Sequence, residues 1–179
     1  MKIKALVMDV DGTLTDGRIY IGPAGECMKA FNVKDGYGIA QILPKYGIIP
    51  IIITGRESAI TERRAAELNI CCLYQNVSNK VLALKKIMDE KKLVSDEMAY
   101  IGDDLNDLPA MKVCGCVGCP IDSAKEVLEY ADYVCTKNGG AGAVREFIDY
   151  IVKECEHEIR KCRQPAPPHS ERLRPSLRG

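Results

Sequence analysis

Ala5-Leu6-Val7-Met8-Asp9-Val10-Asp11-Gly12-Thr13 is an apolar run that ends in two carboxylates and a glycine. It reads as a short buried strand delivering acidic side chains to a turn. Acids one residue apart would face opposite sides of a continuing strand, but Gly12 lets the chain turn after Asp11 and bring both to one mouth. The pattern recurs outward from there. Residues 48–53 close in Ile53-Thr54-Gly55-Arg56, and residues 98–101 run into Gly102-Asp103-Asp104-Leu105-Asn106-Asp107. Residues 71–74, 115–117 and 133–135 are further strand candidates. Between the strands, 57–68, 78–90, 105–113, 123–130 and 141–154 each place apolar residues three and four apart, the helical spacing. Strands alternating with helices predict an α/β fold, a Rossmann-like parallel sheet with helices on both faces.

One segment breaks the alternation. Residues 18–21 and 26–31 flank Gly22-Pro23-Ala24-Gly25 and read as a small β-hairpin inserted just after the first strand, the one candidate for a lid. Ser123 with Glu126 offers a capping box for the fourth helix. Periodicity fades near Glu154, so the expected division is a domain over 1–155 and a basic, Pro-containing flexible tail over 156–179. That tail carries Arg160, Lys161, Arg163, Arg172, Arg174 and Arg178 against few acids.

Composition narrows the function classes. The 179 residues, 46% hydrophobic and 28% charged, fit one compact domain. Basic and acidic residues both number 25, so no chain-wide field recruits nucleic acid or an anionic membrane. No apolar run approaches the ~20 residues of a membrane span, and the N-terminus lacks a signal core. The expectation is a cytoplasmic protein whose nine cysteines are free thiols, with no nucleic-acid or membrane partner.

The chemistry gathers at strand ends. Thr54 and Arg56 supply a hydroxyl and a guanidinium, the parts of an anion site, although a Thr-Gly at a strand end also serves as a plain helix entry. Lys80 stands early in a helix, where a lone lysine is ordinarily a solvated charge. Asp103, Asp104 and Asp107 repel one another unless a cation or a basic partner sits among them. All four features fall at the carboxyl end of a strand or the start of the next helix, the edge where open α/β sheets bind ligands.

In this order, Asp9-Val10-Asp11-Gly12-Thr13, Thr54, Lys80 and Gly102-Asp103-Asp104-Leu105-Asn106-Asp107 resemble the haloacid dehalogenase superfamily of phosphotransferases, over about residues 4–152. More narrowly, Phe31-Asn32-Val33-Lys34-Asp35-Gly36-Tyr37-Gly38-Ile39, Thr54-Gly55-Arg56, Leu73-Tyr74-Gln75 and the segment from Gly139 to Glu146 are similar to its family of 3-deoxy-D-manno-octulosonate 8-phosphate phosphatases, enzymes of lipopolysaccharide biosynthesis. The resemblance implies Asp9 as nucleophile, forming an aspartyl-phosphate, and Asp11 as general acid and then general base. It implies Mg²⁺ held by Asp9, Asp103 and the Asp11 backbone carbonyl, all hard oxygen donors. Thr54 and Lys80 would bind the transferring phosphoryl group, with Asp107 positioning Lys80. Asp11, Asn32, Lys34, Asp35, Gly36, Arg56, Arg64 and Lys80 would contact the sugar acid phosphate; Arg suits its carboxylate, and Arg64 reads equally as a surface charge. A homotetramer is implied, the Gly139 segment and the tail contributing across its interfaces.

Two positions depart from the family pattern. Ala40 stands where an arginine is common, and Asn76 where a glycine usually follows the glutamine. Two rival functions stay open, a phosphatase of a nine-carbon keto sugar acid 9-phosphate and a non-catalytic assembly partner of a cytidylyltransferase. Cys114-x-Cys116-x-x-Cys119 has two readings as well, part of a zinc site or small buried hydrophobes; the core reading is preferred, since no histidine is near.

Overall fold

The computed structural model describes residues 3–163, with side chains through residue 156. In chain order, β1 (Ala5–Met8) is followed by the hairpin strands β2 (Tyr20–Gly22) and β3 (Gly25–Met28), then α1 (Val33–Tyr37), β4 (Ile49–Ile53), α2 (Ala59–Glu67) and β5 (Cys72–Tyr74). The second half holds α3 (Lys80–Lys91), β6 (Met98–Ile101), α4 (Leu108–Met111), β7 (Cys116–Cys119), α5 (Lys125–Tyr130), β8 (Tyr133–Val134) and α6 (Ala143–Arg163). Six strands form one parallel sheet in the order β5-β4-β1-β6-β7-β8, and the hairpin stands apart from it. Val7 is in register with Ile51 on one side and Tyr100 on the other.

Alternate residues of the central strands feed two cores, which is why β1 is apolar throughout. Leu6, Met8, Ile52 and Ile101 pack with Phe147, Ile148 and Ile151 of α6. Val7, Ile51, Ile53 and Tyr100 pack with Leu84 and Ile87 of α3 and Met111 of α4. The chain leaves β1 for β4 and β5 and returns to β6 on the opposite side, so the strand order reverses at β1. A crevice opens at such a reversal, beyond the carboxyl ends of the strands. Asp9 therefore begins at the mouth.

Some elements differ from the sequence reading. Residues from Val33 on, for which the sequence predicts no element, form α1, a π turn (Gly38–Ile42) and a 3₁₀ turn (Leu43–Tyr46). Ile39 and Leu43, four apart, are buried by it, a spacing that Gly36, Gly38 and Pro44 hide. The capping box at α5 is absent: Ala124 takes the cap position, its N–H donates to the Asp103 carbonyl at 2.8 Å, and the Ser123 hydroxyl donates to the Pro120 carbonyl. α4 is a single turn starting at Leu108, because residues 102–107 wrap the Asp107 carboxylate instead of continuing a helix. α6 runs on to Arg163, past the expected boundary at 155. Residues 164–179 of the expected tail lie outside the described residues.

Among the described residues no helix is long and apolar enough to cross a membrane. The described cysteines are all free. Burial pushes the Cys114, Cys116 and Cys135 thiols up to about 12 and Cys119 up to about 11. Cys116, Cys119 and Cys135 are buried among apolar side chains, and no cysteine joins a metal-competent cluster among the described residues, which favours the core reading.

Candidate active site

Lys80 is the hub. Its side chain is 3% exposed, and the ammonium donates to Asp9 Oδ1 at 2.8 Å and to Asp107 Oδ1 at 2.7 Å. The position follows from the local chain: Asn79 caps α3 by accepting from the Leu82 N–H, so Lys80 opens the helix and reaches back over the strand ends. Asp107 is fixed in turn by the buried Tyr100 hydroxyl, which donates to Oδ1 at 2.7 Å, and by the Asp103 and Asp104 N–H groups on Oδ2. Asp103 accepts from the Thr13 hydroxyl at 2.8 Å. Gly12 has φ +98°, and a Cβ there would lie 2.0 Å from Asp103 Oδ2, so the turn after Asp11 and the approach of Asp103 both require glycine.

Carboxylate oxygens of Asp9, Asp103 and Asp107 all lie within 4.8 Å of one another. Burial and then Asp107 push Asp9 up to about 6, against the pull of Lys80. Burial pushes Asp103 up to about 7, the Thr13 hydrogen bond opposing and Asp9, Asp107 and Asp104 adding repulsion. Burial alone would lower Lys80, but Asp9 and Asp107 outweigh it and hold its pKa above the usual value. Three acids cluster beside one ammonium, which bonds only Asp9 and Asp107, leaving an anionic surplus that a cation would relieve. Asp107 is saturated by Lys80, Tyr100 and the backbone, so the oxygens left for an ion come from Asp9 and Asp103. Hard, dry carboxylates of this kind fit Mg²⁺.

Asp11 faces the other way. Its Oδ1 is bonded by the Lys29 ammonium and its Oδ2 lies 3.6 Å from Arg56 Nε. Lys29, 1% exposed at its side chain, also meets Glu26 at 2.9 Å, and Glu26 accepts from the Ser58 hydroxyl. The Ser58 N–H donates to Gln75 Oε1 at 3.0 Å. Glu26, Lys29, Ser58 and Tyr100 escaped the sequence reading. The first two were inside the expected hairpin, yet a Glu-x-x-Lys pair there looks solvated, and nothing local shows that it closes over Asp11.

The remaining candidates divide. Thr54 is buried at the end of β4, tied by its backbone to Tyr74 and Val77. Arg56 joins the mouth, but Arg64 does not join it through any of its contacts: it pairs with Glu67 at 3.2 Å, stacks 5.8 Å from the Phe31 ring, and packs so closely on Gly36 that a Cβ there would sit 2.4 Å from Nη2. Asn32 caps α1 by accepting from the Lys34 N–H, and its amide donates to the Gly140 carbonyl. Asp35 is 1% exposed and its Oδ1 accepts from the Arg145 N–H of α6 at 2.7 Å, so that oxygen is committed within the chain. Lys34 is exposed. Asn76 has φ +54°, a left-handed conformation that glycine and asparagine both adopt, so that departure has a backbone reason.

The comparisons agree with this geometry. A family model described as haloacid dehalogenase-like hydrolase matches residues 52–148. The chain is 44% identical over 150 residues to the 3-deoxy-D-manno-octulosonate 8-phosphate phosphatase KdsC of Escherichia coli K12, covering 84% of this chain and 79% of that protein. The crystal structure of the Yersinia pestis 3-deoxy-D-manno-octulosonate 8-phosphate phosphatase superposes with TM-score 0.83 at 43% identity, covering 86% of this chain and 83% of that one. The Moraxella catarrhalis phosphatase of the same name, in complex with magnesium ion, phosphate ion and KDO, gives TM-score 0.81 at 40% identity over 90% and 94% of the two chains. The chain belongs to the haloacid dehalogenase-like hydrolase family.

Proposed function

We propose that this protein is a Mg²⁺-dependent phosphoric monoester hydrolase that cleaves 3-deoxy-D-manno-octulosonate 8-phosphate to the free sugar acid and phosphate. The observation that carries the reading is the Asp9–Lys80–Asp107 bridge beside Asp103, set in a chain 44% identical to phosphatases of that name. A carboxylate needs no base to act as a nucleophile. One Asp9 oxygen attacks phosphorus, the bond from phosphorus to the sugar oxygen breaks, and Asp11 delivers a proton to that oxygen. Water then attacks the phosphorus of the aspartyl-phosphate, Asp11 takes its proton, and the bond to Asp9 breaks to free phosphate. Lys80 and Thr54 bind the phosphoryl oxygens as their charge spreads. Asp9, Asp103 and the Asp11 backbone carbonyl would hold Mg²⁺, which lets an anionic nucleophile approach an anionic phosphate.

Arg56 at the mouth suits the substrate carboxylate. A homotetramer belongs to the same reading, supported by exposed Ile21 and Met28 on the hairpin and Val33 and Tyr37 on α1. The cytoplasm fits a chain whose described cysteines are free thiols. A scaffold without catalysis gains nothing from burying Asp9, Lys80 and Asp107 together, which weighs against a purely structural role. Phosphate release from eight-carbon and nine-carbon sugar acid phosphates, assayed side by side with and without Mg²⁺, tests the reading. It expects a metal-dependent preference for the eight-carbon compound; preference for the nine-carbon one reassigns the substrate, and no release from either removes the function.

A further inference from the structure

An in-line displacement at phosphorus puts the leaving oxygen on the side away from Asp9. A group that protonates that oxygen must therefore stand clear of the Asp9, Asp103 and Asp107 cluster and face the mouth. Asp11 does so, and its two oxygens are held there separately, Oδ1 by Lys29 and Oδ2 by Arg56 at 3.6 Å. The two cations differ in kind. Arg56 is 51% exposed, whereas the Lys29 side chain is 1% exposed and meets only Asp11 and Glu26 among the described ion pairs. An ammonium is buried at this depth only where carboxylates surround it.

Glu26 is itself anchored. It accepts from the Ser58 hydroxyl, Ser58 caps α2 by accepting from the Thr61 N–H, and its own N–H is bonded to Gln75 just beyond β5. A chain of polar contacts thus runs from the sheet edge through α2 to the hairpin and on to Asp11.

We propose that Lys29 is the positioning residue of Asp11, with Glu26 as its anchor: the hairpin holds the acid–base carboxyl of its own subunit on the side from which the leaving group departs. This rests on the phosphatase reading above and assigns the hairpin a task inside the subunit that carries it.

The test uses full-length wild type, Lys29→Met, Lys29→Arg and Glu26→Gln with Mg²⁺, under single-turnover conditions for leaving-group release and at steady state for kcat and KM. The substrates are the octulosonate 8-phosphate, phenyl phosphate and p-nitrophenyl phosphate. Nitrophenolate leaves readily without a proton; phenoxide and a sugar alkoxide do not. Lys29→Met should slow leaving-group release from the sugar acid phosphate and phenyl phosphate by about 10–10²-fold, a misplaced acid's cost, with KM little changed and p-nitrophenyl phosphate nearly untouched. Lys29→Arg should recover most of the loss. Glu26→Gln keeps the lysine but loosens it, and must show the same selective loss; it carries the test if Lys29→Met does not fold. Equal slowing of all three substrates, or a raised KM at unchanged kcat, overturns the proposal. Wild type that cleaves both aryl phosphates but not the octulosonate 8-phosphate would remove the substrate assignment while the aryl pair still decides the role of Lys29.

Discussion

Asp9 sits where burial and Asp107 raise its pKa to about 6, opposed by Lys80 and by a hydrogen bond from the Val10 backbone. Replacing it by the nearly isosteric Asn removes a buried charge and the nucleophile at once, while Lys80 keeps Asp107. Asp9→Asn should therefore abolish phosphate release and leave the melting temperature at or above wild type; substantial turnover by the folded variant would falsify the nucleophile assignment. Asp103 and Asp9, raised to about 7 and about 6, bind protons below those values, and an ion must displace them. Mg²⁺ affinity should accordingly rise as pH climbs through 6 to 7 and flatten by about pH 8. Calorimetric titration at acid and alkaline pH checks this, and a pH-independent affinity would contradict the cluster's role. At this scale much of the site was legible: Asp9, Thr54, Lys80, Asp103 and Asp107 announce themselves because each ends a strand or opens a helix. Glu26 and Lys29 did not, since Asp11 lies 18 residues from Lys29 and Ser58 lies 32 from Glu26, and their burial depends on how the hairpin folds back.

A buried carboxylate ties α1 to α6. Asp35 accepts from the Arg145 N–H, and burial raises its pKa to about 6 from 3.8. The folded state thus holds the Asp35 proton more tightly than the unfolded chain does. This contribution favours folding below the ordinary carboxylate value, is lost as pH rises from 3.8 to about 6, and stays lost above. Asp35→Asn keeps an acceptor without the charge, so melts should show a smaller fall in stability over that window and a gain of about 1–3 kcal/mol near pH 7.5. A variant destabilised at pH 7.5 but not at pH 4 would show instead that the charge supports α6. Strands and long helices were readable from periodicity because each buries a full apolar stripe. The turns after Val33 were not, since two glycines and a proline interrupt the stripe, nor was the start of α5, where the backbone contact to Asp103 prevails over the local cap at Ser123.

For the whole molecule, the reversal of strand order at β1 gathers the chemistry at one edge, and alternation in the sequence implied the sheet without giving that order. Assembly is less legible, because an exposed apolar side chain on a lone chain has no signature of its partner. Ile21 is 76% exposed and Met28 50%, so the proposed tetramer would cover them. Wild type should sediment at four times the 19.7 kDa chain mass, and Ile21→Glu should yield smaller species that still cleave p-nitrophenyl phosphate. An active wild-type monomer would show that one subunit closes its own site.

Covalent phosphorylation of Asp9 is the claim on which the rest hangs. Rapid acid quench during turnover of a sugar acid phosphate carrying radiolabelled phosphorus, followed by peptide mapping, should find the label on the peptide containing Asp9 and none on the Asp9→Asn protein. Label on any other residue, or full turnover with no labelled protein at any quench time, would contradict it.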